Sequence, residues 1–140
     1  MKKIVAFFMT AVMSISLLSG YASAGTNEEV ISSGGGTTYY VDDERGDDGN
    51  DGNSSEAPWK SLDKVNSTVF QPGDTICFRA GGSWEGMLNP KGSGSSDAPI
   101  ILDQYGEGDK PLILGNGGEA AIKLESQEYW TIRNFEVTNQ

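Results

Sequence analysis

Carboxylates are the most abundant reactive groups in this 140-residue chain, which has 20 Asp and Glu against 10 Lys and Arg and no histidine. Asp42, Asp43, Asp47, Asp48 and Asp51 crowd into one glycine-rich loop, and such oxygen donors suit a hard cation such as calcium. Asp47, Asp48 and Asp51 are the candidate ligands. The spacing is not that of an EF-hand, however. Counted from Asp47, Gly49 takes the third ligand position and Pro58 stands where the bidentate glutamate belongs. A hydrogen-bonded acidic turn is the competing reading.

Trp84-Glu85 is the candidate carbohydrate-binding pair, with an aromatic face for a sugar ring and a carboxylate for its hydroxyls or for acid–base work. The competing reading takes Trp84, Gly86 and Leu88 as the inward side of a strand and leaves Glu85 in water. The paired carboxylates of a glycosidase stand about 5 to 10 Å apart, and no pair among so many can be selected by type alone. The lack of histidine excludes a histidine triad, a histidine zinc motif and a histidine base within these residues. Cys77 is the single cysteine, so no disulfide forms within the chain. It lies opposite the Ile76 and Phe78 face, where packing is expected. Lys123 and Arg133 are the basic residues on candidate strands and are expected to be solvated.

The N-terminus reads as an export signal. Met1-Lys2-Lys3 is positive, Ile4 to Leu18 is a 15-residue run that is mostly apolar, and Ala22-Ser23-Ala24 fits a cleavage site before Gly25. That run is shorter than the roughly 20 residues of a membrane-spanning helix. In the lipoprotein-like Leu18-Ser19-Gly20-Tyr21, tyrosine stands in place of the required cysteine. The chain is therefore expected to be secreted and extracellular, with no stable membrane anchor. Loss of Lys2 and Lys3 leaves 8 basic against 20 acidic residues in the mature part, a net charge of −12. That charge makes nucleic acid an unsuitable partner, since phosphate binding rests on Lys and Arg.

Gly25 to Thr37 reads as a flexible leader. Short strands are predicted over Thr38–Val41, Thr75–Arg79, Trp84–Leu88, Ile100–Leu102, Leu112–Leu114, Ala121–Leu124, Trp130–Ile132 and Phe135–Val137. A short helix is predicted over Ser61–Val65, capped by Ser61 or a neighbour, with Leu62 and Val65 on one face. Pro72-Gly73 marks a turn. Ile100 to Ile122 spans 22 positions and Leu112 to Phe135 spans 23, a spacing in the range of solenoid repeats.

Several segments then occur in a recognisable order: Tyr39-Tyr40-Val41, Gly46-Asp47-Asp48, Pro58-Trp59-Lys60-Ser61-Leu62, Pro72-Gly73-Asp74-Thr75-Ile76, Gly81-Gly82-Ser83-Trp84, Ala98-Pro99-Ile100, Lys110-Pro111-Leu112 and Trp130-Thr131-Ile132-Arg133-Asn134-Phe135. This order resembles the N-terminal cap and first rungs of the secreted right-handed parallel β-helix, pectate-lyase-like superfamily, from about Thr38 to Gln140. The resemblance implies an all-β solenoid with a short capping helix. It also implies a parent protein that acts on polysaccharide as a lyase or glycoside hydrolase. The superfamily's lyases use calcium and a Lys or Arg base on later rungs, so no catalytic residue is carried over. The expected organisation is a signal peptide over 1–24, a leader over 25–37 and the opening of a truncated β-helix over 38–140, whose missing partner is its own C-terminal rungs. By itself the segment is expected to be structural and inactive. The alternative is a non-catalytic carbohydrate-binding or surface-adhesion solenoid.

Overall fold

The computed structural model describes residues 35–140. The expected signal over 1–24 and most of the leader fall outside them. Two sheets, both wholly parallel, make up the architecture. The first contains β1 (Thr38–Val41), β2 (Thr75–Arg79), β4 (Ile100–Tyr105) and β6 (Trp130–Ile132), hydrogen-bonded in that order. The second contains β3 (Ser83–Glu85), β5 (Leu112–Leu114) and β7 (Glu136–Thr138). From β2 onward, consecutive strands therefore alternate between the sheets. Isolated parallel bridges, Val69 to Lys91 and Leu88 to Ile122, mark further points where successive turns of chain meet.

Strand alternation decides what each sheet buries. In β2 the side chains of Ile76 and Phe78 are fully buried, while Thr75, Cys77 and Arg79 are half-exposed. Register stacks Tyr39 on Ile76 on Leu102 inside the first sheet, and Trp84 on Ile113 on Val137 in the second. Aromatic contacts tie the layers together, with Phe78 edge-on to both Trp84 and Phe135 at ring separations of 4.8 and 5.2 Å. Burying a side chain of that size contributes about 2 to 3 kcal/mol.

The one helix among the described residues, α1, spans Leu62–Asn66. Its start is set by Ser61, whose hydroxyl accepts from the Lys64 N–H at 3.1 Å, and it buries Leu62 and Val65. Just before it, Trp59 stacks on Tyr39 at 4.8 Å and donates its indole N–H to the Asn50 carbonyl. Asp74 is also buried. It receives the Thr37 and Gln71 N–H groups, pinning the chain just before β1 to the turn just before β2.

The all-β expectation holds, with three adjustments. Ile100 pairs with Trp130 and Leu112 with Glu136, so the structural step is 30 and 24 residues. The pairings of Ile100 with Ile122 and of Leu112 with Phe135 do not occur. Ala121–Leu124 forms only the single bridge at Ile122, opposite Leu88. The strand expected over Trp84–Leu88 is cut short at Glu85 by Gly86, whose φ of 113° leaves the β region.

Candidate functional site

The densest polar cluster lies where β1 runs into the acidic loop. Asp42 follows β1 and has a fully buried side chain. One of its oxygens accepts the backbone N–H groups of Glu44 and Arg45 at 2.9 Å and Arg79 Nε at 3.0 Å. The other accepts Arg45 Nε at 3.1 Å and lies 3.4 Å from the Tyr105 hydroxyl. Arg79 also reaches Asp43 at 2.7 Å, and the second Asp43 oxygen accepts the Ser83 N–H at 3.0 Å. Burial opposes ionisation of Asp42. The N–H groups of Arg45 and Glu44 and the charges of Arg79 and Arg45 outweigh it and hold the carboxyl below the usual carboxylate range. The same surroundings act in reverse on Tyr105, whose hydroxyl is pushed up to about 12 by burial and by the Asp42 charge. Both oxygens of each carboxylate are occupied, so the cluster works as a clasp joining β1, β2 and β3.

A second group stands on the outer face of the first sheet, where register brings Tyr40, Cys77 and Asp103 into one row. Asp103 receives Arg133 Nε at 2.8 Å, Asn134 Nδ2 at 2.7 Å and the Gln104 N–H at 2.8 Å. Burial opposes its ionisation, but the Asn134, Gln104 and Arg133 contacts lower its carboxyl. Burial, with the Asp103 charge beside it, pushes the Cys77 thiol up to about 11. A thiol held so protonated is a poor nucleophile.

Trp84 is 4% exposed, with its ring against Phe78 and its indole N–H donated to the Lys60 carbonyl. Its ring therefore presents no open face, while Glu85 beside it is exposed. Asp47 accepts the Gly49 N–H, and Asp48 accepts the N–H groups of Lys60 and Ser61 together with the Ser61 hydroxyl. Asp51 is exposed. Among the described residues no three His, Cys, Asp or Glu side chains converge as a metal site would require, and no pocket is formed. Lys123 pairs with Glu119 and Glu125, and Arg133 pairs with Asp103. The Arg79 clasp is absent from the sequence reading. Its only signal there was a charged residue ending a strand whose alternation turns it outward.

Fold and site together define a parallel-sheet scaffold whose polar groups are spent on holding one turn of chain to another. No family model matches the chain. It is similar to a lacto-N-biosidase of Bifidobacterium longum subsp. longum, with 34% identity in a match that covers 67% of this chain and 8% of that protein. Among solved structures it is similar to the GH136 lacto-N-biosidase of Eubacterium ramulus. The selenomethionine derivative matches with a TM-score of 0.69 and 34% identity, and the native protein with 0.65 and 32%. Each match covers 74% of this chain and 20% of the other. The chain thus spans a fifth or less of the relatives it matches. These similarities correct the pectate-lyase-like assignment, because GH136 is a different family, and the polysaccharide lyase option falls with it. The quoted segments fall largely in turns and strands of the parallel sheets, so they reported a parallel-strand architecture and misdirected the family.

Proposed function

We propose that this chain is the opening section of an exported glycoside hydrolase whose parallel sheets coil as a right-handed β-helix, and that the section itself is scaffold. The whole protein would act on a glycan that carries a lacto-N-biose unit. The observation that carries this reading is the 34% identity, running with a TM-score of 0.69, to a lacto-N-biosidase. Two further features support the coil. Consecutive strands alternate between sheets, and the strands keep one face open to water, although parallel sheets in other folds are covered on both faces. Right-handedness is the rule for parallel crossovers. Export with cleavage near Ala24 and Gly25 rests on the N-terminal pattern alone.

The test is a chimera. Residues 36–140 replace the matching part of the Eubacterium ramulus enzyme, and hydrolysis of a chromogenic lacto-N-bioside is followed. Retained turnover by the chimera, with none from the 140-residue chain alone, supports the reading. A well-folded chimera without turnover counts against it. A second reading is a non-catalytic glycan-binding or adhesive solenoid. Retention of the isolated chain on a glycan column, without cleavage, would establish that alternative.

A further inference from the structure

We propose that two side chains seal the first edge of the second sheet in place of a strand, and that this seal keeps a second copy of the chain from pairing there. The first sheet starts from β1, and β1 is itself covered. Trp59 donates to the Tyr40 carbonyl and accepts the Asp42 N–H, the two bonds of a parallel bridge to Val41. The second sheet starts from β3, whose strand neighbour among the described residues is β5 alone. The part of the first turn of chain that reaches this edge, from Lys60 to Asn66, enters α1. A helix directs its backbone hydrogen bonds along its own axis, so it cannot pair with a strand beside it. A strand edge left bare is a template on which another chain can add.

Side chains take over from the missing strand. Asn66, the last residue of α1, donates Nδ2 to the Met87 carbonyl at 2.9 Å and accepts the Asn89 N–H on Oδ1 at 2.6 Å. Those bonds flank Leu88, whose own N–H and carbonyl pair on the opposite side with Ala121 and Lys123. The Asn66 carboxamide therefore grips the chain on both sides of Leu88, in the pattern by which the Trp59 backbone grips both sides of Val41. At the other end of the edge, Gly82 and Gly86 bond to Leu112 and Leu114, which turns the backbone groups of Ser83 and Glu85 away from β5. Asp43 Oδ2 accepts the Ser83 N–H at 3.0 Å. Glu85, exposed and charged, stands between the two caps. A strand of three residues, charged at its centre and capped at both ends, is a poor template for another chain. Every group in the seal belongs to the first two turns of chain.

The experiment breaks the seal at Asn66, because Asp43 also belongs to the Arg79 clasp. Asn66→Ala removes both bonds and favours the helix, whereas Asn66→Asp keeps the acceptor and removes the donor. Amide hydrogen exchange of the 140-residue chain reads the seal. Pairing of two copies is read in a Glu85→Cys background, oxidised with glutathione disulfide, as disulfides between the two positions 85 mapped by peptide mass spectrometry. In Asn66→Ala the Asn89 N–H is expected to exchange at least about tenfold faster, while the Lys123 N–H, on the far side of Leu88, stays within about threefold. Adding Asn66→Ala to Glu85→Cys is expected to raise the intermolecular disulfide by at least about threefold. Asn66→Asp is expected to hold the Asn89 N–H within about threefold of its original rate, and it carries the test if Asn66→Ala loses its circular dichroism. An unchanged Asn89 rate in folded Asn66→Ala, a freed Asn89 N–H in Asn66→Asp, or no gain in the disulfide overturns the proposal.

Discussion

Arg79, at the end of β2, donates through Nε to the buried Asp42 carboxylate 37 positions earlier in the chain, at 3.0 Å. The contact joins two strands that are neighbours only because the chain has completed a turn. It also leaves a charge inside the protein that depends on its partner.

Replacing Arg79 with Met is expected to destabilise the fold by about 3 kcal/mol, because Asp42 is left buried with only Arg45 as counter-charge. Urea unfolding checks this. The double variant Arg79→Met with Asp42→Leu is expected to regain part of the loss, and a double variant as weak as the single would remove the buried-charge explanation.

Acid is expected to weaken the fold. The carboxyls of Asp42, Asp48 and Asp103 are all held below their ordinary value. The unfolded chain therefore takes up protons first as pH falls, so their contribution is complete above about pH 5 and is lost progressively below it. Melting temperatures followed from neutral pH into acid should be flat and then fall. Asp103→Asn should make the acid limb shallower, and an unchanged limb would exclude Asp103 as a contributor.

Sequence legibility divides along the range of each interaction. The Ile76 and Phe78 alternation, the Pro72-Gly73 turn and the Ser61 cap are set by residues within a few positions of one another, and all were readable. Nothing local distinguishes Ile122 from Trp130 as the partner of Ile100, because both begin short apolar runs. The choice is made by how much chain the Ser93–Asp97 and Glu125–Tyr129 turns consume. The Asp42 clasp was hidden for the same reason: Asp42 and Asp43 look alike in sequence, and only the return of Arg79 buries the first.

Trp84→Ala is expected to cost about 3 to 5 kcal/mol, since the ring fills a core position against Phe78. Glu85→Gln, at the exposed neighbour, should change stability by less than about 0.5 kcal/mol. Thermal melts of the two variants test the contrast.

Gly52→Ala is expected to destabilise by about 3 kcal/mol. Gly52 has a φ of 78°, which costs an L-residue about 1 kcal/mol. The added methyl would also press on the Trp59 indole, an overpacking cost of about 1 to 3 kcal/mol. Near-ultraviolet circular dichroism of the tryptophans should report the displacement, and an unaltered spectrum with an unaltered melt would refute it.

Ser61→Ala is expected to lose about 1 kcal/mol through the helix start, and Ser61→Asp should recover less than usual. The hydroxyl both caps Lys64 and donates to Asp48, so a carboxylate there would face another.

The register carries a kinetic consequence. Thr38 pairs with Thr75, Thr75 with Ile101, Ile100 with Trp130 and Leu112 with Glu136, so each strand waits for 24 to 37 further residues before its partner exists. Among the described residues no strand can zip onto a near neighbour through a hairpin. Closure of a loop that long must precede every gain, which makes such topologies slow to assemble. The earliest surface that can serve as a template is β1 with the Trp59 loop folded beneath it. Lesions there should delay all later turns.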